Sequence, residues 1–461
     1  MDQKNAFLGT EPIGRLLFRL AIPTVIAQLV NMLYNIVDRI YIGHMPQVGS
    51  LALTGLGVCT PIILIVSAFA ALVASGGAPR ASISMGKGDL QTAEKMLGGC
   101  FSLQLGISAV LTAALLIWNR DLLLAFGASG QTIDYAADYM QIYAIGTVFV
   151  QLTLGMNAFI TAQGFAREGM LTVLIGAVCN IVLDPILIFK LGVLGASLAT
   201  VLSQAISGVL CLLFIMVKVP ILHITRSEWR PQSKCMTELC AYGVPMGLQY
   251  SITAIGSVIL QVAVNSLGSL SVAAVTAASK VLNFLACPFD ALGSTMATYG
   301  AQNVGASRYD RLNKGIYSAS LMGFGYSLLA FGVAWFFGRS LTGLFVSGGS
   351  SAQLVELAQT YMITNVLAYP LLTLVNVVRF MIQGMGFSMF AILAGVMEMA
   401  ARSLAGMFLV PALGYFGAAL GSPLAWVAAD LFLVPAYFRC RRVLMSQSHH
   451  LHVMGESAES N

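Results

Sequence analysis

Five acidic side chains stand inside long apolar stretches of this sequence: Asp38, Asp184, Asp290, Glu398 and Asp430. An ionised carboxylate at membrane depth is costly, so such acids are normally retained to bind a proton, a cation or a polar solute. Asp38 lies five residues before Gly43 and Asp184 six before Lys190, near the ends of their stretches, so the two should reach similar depth. Asn180 is one turn before Asp184, and Asn31, Tyr34, Asn35 and Asp38 share one side of their helix by the same spacing. Together these groups would make an oxygen-rich cage. Oxygen ligands suit a hard cation, and a carboxylate shifted by burial suits a proton. The coupling ion is therefore H+ or Na+, and sodium at Asp38, Asp184 and Asn180 is the one metal the set could hold. A competing reading pairs Asp38 with neighbouring Arg39, or uses both acids as structural ties.

A second group of charges follows later in the chain. Glu398 and Arg402 are one turn apart and could form an intrahelical pair, while Arg379 could snorkel to an interface. With Asp290, Asn35 and Gln163 they are candidates for lining a substrate cavity, and such a lining favours charged or dipolar solutes. Several chemistries are missing. The sequence has no GxxxxGK[ST] loop, which excludes an ATPase motor within this chain. None of the eight cysteines has metal-ligand spacing. No enzymatic activity, cofactor or nucleic-acid partner is expected.

The elements that must carry these residues follow from composition. The chain has 461 residues, of which 57% are hydrophobic and 9% charged, against roughly a quarter charged in a soluble domain. Mean hydropathy is +0.83. The apolar residues come in runs of about 20, the length of a helix that crosses a bilayer. Twelve such runs fit: 21–42, 52–75, 95–117, 136–160, 170–190, 194–217, 240–262, 271–298, 315–337, 358–383, 388–410 and 416–438. The first carries Asn31, Asn35 and Asp38 and reads as a retained span, not a cleaved leader. With the N terminus inside, 17 of the 24 basic residues fall on the inner side and three on the outer. That bias puts both termini in the cytoplasm of a multi-pass inner-membrane protein.

The chain also repeats. AIPTVIAQLVNMLYNIVDRIYIG and YGVPMGLQYSITAIGSVILQVAV open the two halves, with Pro23 opposite Pro245. Gly86 answers Gly305, Gln163-Gly164 answers Gln383-Gly384, and LGVLGASLAT answers LGYFGAALGS. Six runs per half make the halves parallel repeats, an arrangement found in secondary transporters. The expected fold is an all-α polytopic membrane protein with 12 transmembrane helices in two pseudo-symmetric six-helix bundles. The bundles would be 1–217 and 236–440, joined by a cytoplasmic linker 218–235 and followed by a cytoplasmic tail 441–461.

These markers resemble the multidrug and toxic compound extrusion family, over about residues 14–440. They are Pro23, NMLYNIVDRIYIG, GKGD, NIVLDPILIF, LGVLGASLAT, AQNVGA and LGYFGAAL. The resemblance implies a secondary antiporter that exports organic cations and amphipathic drugs in exchange for protons or sodium ions. It implies that Asp38 and Asp184 are the coupling acids, with Tyr34, Asn180 and Thr200 as their hydrogen-bonding neighbours. One branch of the family carries acids in the seventh run. This sequence has none there, so coupling is expected in the first bundle. The alternatives are an exporter of an endogenous lipid-linked or metabolic compound, and a non-transporting membrane scaffold or sensor. Beyond the solute and the lipid bilayer no partner is implied, and a monomer is expected.

Overall fold

An apolar run that meets no water must satisfy its backbone internally, and a helix does so within one segment. In the computed structural model every expected run folds this way. Residues 11–46, 48–218, 222, 233–343 and 352–459 are described, and among them there is no strand. The first half holds α1 (Ile13–Gly43), α2 (Gly49–Gly86), α3 (Leu90–Ile117), α4 (Asn119–Ala125), α5 (Ile133–Ala162), α6 (Ala166–Leu191) and α7 (Val193–Leu213), the last extended by a π turn, Phe214–Lys218. The second holds α8 (Ser233–Asn265), α9 (Ser269–Gly305), α10 (Tyr309–Gly343), α11 (Ala352–Leu367), α12 (Tyr369–Gly384) and α13 (Met389–Leu404). A π turn, Ala405–Leu409, then leads to α14 (Val410–Leu413), α15 (Tyr415–Ala419) and α16 (Gly421–Glu459).

Eleven helices among the described residues are long and apolar enough to cross a membrane, and twelve spans result when α11 and α12 count as one. That pair is bent by 48°. Pro370 sits in the first turn of α12 and has no N–H to offer the carbonyl four residues back, which breaks the helix there. α4 occupies a break expected to be loop, and α16 continues through the segment expected as a tail. Much of the basic linker, Arg226 and Arg230 included, lies outside the described residues.

The chain divides into two compact units: 22–85 with 89–244, and 1–21, 86–88 with 245–461. In the first, α5 packs against α3, α6 and α7. Its buried centre contains Met156, Phe159 and Ile160 at one end and Tyr139, Met140 and Tyr143 at the other. In the second, α9 packs against α10, α11 and α12, and α13 packs against α16.

The internal repeat is visible in the backbone. Gly164 and Gly192 have positive φ, and so do Gly386 and Gly414, each 222 residues later. Gly192 and Gly414 adopt nearly the same conformation, φ 61° ψ −134° and φ 60° ψ −133°, directly before α7 and α15. This corrects one expected match. The turn that answers Gly164 is at Gly386, two residues beyond the Gly384 of the similar Gln-Gly pair.

Candidate cation site and polar cavities

Three helices of the first unit supply the site. Asn31, Tyr34 and Asp38 lie along one stripe of α1, and Gly176, Asn180 and Asp184 follow one another at one-turn intervals on α6. Thr200 and Gln204 do the same on α7. Pro185, next to Asp184, removes a backbone donor from α6 at this level.

Asn180 and Asp184 are fully buried and Asp38 is 7% exposed. The Asn180 Nδ2 donates to Asp184 Oδ1 at 3.3 Å. Asp184 Oδ2, Asn180 Oδ1 and Asp38 Oδ1 are buried without any hydrogen-bond partner. Among the described residues, no Lys, Arg or His lies within ion-pair distance of either acid. Arg39 is exposed and its charge acts on Asp38, but the two form no ion pair. The two carboxylates are close enough for their charges to interact. Buried polar atoms are nearly always satisfied, so a concentration of acceptor oxygens without donors marks a place for a cation or a proton.

Tyr34 and Thr200 frame this group. The Gln204 Nε2 donates to the Tyr34 hydroxyl at 3.3 Å. Thr200 is half-buried, donates to the Ala196 carbonyl at 3.1 Å, and meets the hydroxyl of Tyr139, which lies in the field of Asp38. Beside them is a cavity of about 200 Å³. Asn31, Tyr34, Asn157, Gly176, Gln204 and Ser207 are part of its wall, which carries amides and hydroxyls but no charged side chain.

The second unit is built differently. Glu398, 3% exposed, receives Arg379 and, at 3.3 Å from its Oε2, Arg402. The intrahelical Glu398–Arg402 pair expected from spacing is present, but Arg379 does not snorkel. It is buried on α12 and reaches across to α13. Asp430 on α16 is buried with neither carboxylate oxygen hydrogen-bonded. A second cavity, of about 340 Å³, is lined by Tyr361, Asn365, Tyr369, Arg402 and Trp426 among others.

The three remaining cavity candidates are placed differently. Asn35 is exposed, donates to the Asn31 carbonyl at 2.7 Å and is hydrogen-bonded to the Tyr34 side chain. Gln163 is buried at the end of α5 with its Nε2 on Phe159 of the same helix, at 3.0 Å. Asp290 is exposed and has no ion pair among the described residues, but it lies in the field of Arg379. Conversely, the sequence reading passed over Gln204 and Asn157. Gln204 is one turn beyond Thr200, and that spacing was the available signal.

The comparisons with known proteins agree with this architecture. The MatE family model matches twice, at residues 23–186 and 245–401, once in each half. The chain belongs to this family of multi-pass membrane transporters. More particularly, it is similar to the multidrug export protein MepA of Staphylococcus haemolyticus, at 24% identity over 61% of this chain and 63% of that protein. It is equally similar to a FAD transporter of Shewanella oneidensis, 24% identical over 80% of this chain and 81% of its length. Among solved structures, an outward-facing multidrug resistance transporter of the same family superposes with a TM-score of 0.88. That match has 21% identity and covers 97% of this chain and all of that one, and it speaks for the fold.

Proposed function

We propose that this protein is a secondary antiporter of a bacterial cytoplasmic membrane, with both termini inside, that exports organic cations and amphipathic drugs in exchange for protons or sodium ions. The observation that carries the reading is the buried pair Asp38 and Asp184, which have free oxygens and no ion pair among the described residues. Charged, such a pair is costly in a closed site, so a proton or Na+ must neutralise it before closure. Asn180 offers a third oxygen, and the Gln204–Tyr34 hydrogen bond ties α7 to α1 beside it, with Thr200 linked to Tyr139 of α5. The neutral polar cavity next to the acids suits the polar part of a solute while the acids supply attraction for its positive charge. Taken together, occupancy by the ion and occupancy by the organic cation compete for one pair of negative charges, which is the requirement for exchange.

The test is efflux of a fluorescent organic cation from liposomes containing the purified chain, with a proton or a sodium gradient imposed separately. One gradient should drive efflux, and Asp38→Asn or Asp184→Asn should each abolish the coupled component. Efflux that follows neither gradient overturns the antiporter reading and leaves the scaffold or sensor. A second reading, export of an endogenous metabolic compound, is supported by the similarity to a relative named a FAD transporter. It predicts gradient-driven movement of a metabolite and poor competition by organic cations.

A further inference from the structure

The repeat allows the two halves to be laid over one another residue by residue. The turns at both ends of α6, Gly164 and Gly192, recur at Gly386 and Gly414 with the same 222-residue interval, so no insertion disturbs the register of α13. Pro23 and Pro245 keep that interval in α1 and α8. In this register Asp38 is answered by Leu260 and Asp184 by Gly406, while Asn180 is answered by Arg402 and Asn157 by Arg379. Both acids of the cation site are lost from the second half, and two neutral amides have become guanidinium groups. The polarity of the site is inverted on the same backbone.

The 340 Å³ cavity of the second unit is built from these positions: Leu260, Arg402 and Trp426, which answer Asp38, Asn180 and Gln204, all line it. Arg402 is the one charged side chain in its wall. Arg402 is 6% exposed and is balanced only by Glu398, which it shares with Arg379. Arg379 has further acids in its field, Asp290 and Asp430, whereas Arg402 feels Glu398, the repulsion of Arg379 and the Tyr361 ring. Glu398 is the acid paired with both guanidinium groups, and Arg402 is the charge that the cavity wall presents. Tyr361, Tyr369 and Trp426 line the same cavity and give it aromatic surface, with the Tyr369 and Trp426 rings 6.1 Å apart. The Tyr369 hydroxyl is anchored on the Leu282 carbonyl at 3.1 Å, which fixes that wall.

We propose that this cavity binds an aromatic oxyanion, with its carboxylate or phosphate on Arg402 and its ring against Tyr361, Tyr369 and Trp426. A guanidinium is the side chain best matched to a planar oxyanion, and the cavity volume is that of a small-molecule site. The inference rests on the transporter reading for the fate of the ligand. Binding itself is measured without a gradient, so failed efflux and failed binding remain separate results.

The test is calorimetric titration of the purified full-length chain in detergent with 2-naphthoate, 2-naphthamide and 2-naphthyl phosphate. The carboxylate should bind at least about tenfold more tightly than the amide, as expected for a charge-assisted hydrogen bond. Arg402→Gln should remove that preference, bringing the two affinities together. Arg402→Lys, which keeps the charge but loses the planar fork, should retain part of it and covers the case that the first variant does not fold. The ratio of phosphate to carboxylate affinity shows which oxyanion the site prefers. Equal affinity for naphthoate and naphthamide in the wild-type chain, or a preference that survives Arg402→Gln, overturns the proposal.

Discussion

Replacing Glu398 by Gln separates structural charges from functional ones. The side chain is 3% exposed and accepts hydrogen bonds from two buried arginines. An amide keeps the shape, but its single oxygen cannot serve both, and its NH2 turns a donor toward a group that has only donors. Removing one partner of a buried ion pair typically costs about 3–5 kcal/mol, because the remaining charge is left desolvated. Here two guanidinium groups lose their shared anion, so a loss toward the upper end, about 5 kcal/mol, is expected for Glu398→Gln. The double variant Glu398→Gln/Arg402→Gln should regain part of it, about 1–3 kcal/mol of coupling, since it removes one of the two stranded cations. Asp184→Asn should behave in the opposite way. Asp184 holds one hydrogen bond, at 3.3 Å, and no ion pair, so the change costs no more than about 1 kcal/mol while coupled efflux is lost. Reversible unfolding in mixed micelles, followed by tryptophan fluorescence, gives all the free energies on one scale. If Glu398→Gln stays within about 1 kcal/mol of wild type, or if Asp184→Asn is the less stable of the two, the division between locked and open acids is wrong.

Two further outcomes test the packing. Gln104 on α3 is fully buried with both polar atoms of its carboxamide unpartnered, so Gln104→Met should stabilise the protein by about 1–3 kcal/mol in the same unfolding assay. At Gly192 an added Cβ would meet nothing within 4 Å, yet φ is +61° with ψ −134°, a combination open essentially to glycine. Gly192→Ala should therefore cost about 1–3 kcal/mol from backbone strain alone, and so should Gly414→Ala; an unchanged midpoint would show that the turns relax freely.

The twelve spans were legible because bilayer thickness turns run length directly into an element. Asp38, Asp184 and Asn180 were legible because depth follows from distance to a polar break, and a one-turn spacing fixes the face. Spacing was less decisive for Asn35. At about 100° per residue it lies on the stripe of Asn31 but well round the helix from Tyr34, and in the packed structure it is exposed while still hydrogen-bonded to the Tyr34 side chain. Arg379 was misjudged because its partner lies 19 residues away on another helix, a distance to which local periodicity is blind. The Gln-Gly pairs misled for a different reason. A turn is defined by backbone conformation, and the second half makes that turn at Gly386 in a different local sequence. The bend at Ala368 does have a sequence cause. Pro370 is answered by Val148 in the first half, and α5 accordingly runs unbroken where α11 and α12 do not.

The same register bears on how ion and solute could be handled by one duplicated backbone. A site whose charge is to vary during a cycle must contain acids that nothing in the protein neutralises permanently. The first half meets that condition, since Asp38 and Asp184 have free oxygens and no basic partner among the described residues. A site whose charge is to stay constant needs the reverse, and Glu398, held by two arginines, meets that condition. On the proposed reading, neutralising variants in the first half abolish gradient-driven export, and variants of Arg402 change which solutes are taken. A substitution such as Arg402→Gln that altered the driving ion while leaving solute choice intact would show that the halves do not divide the work in this way.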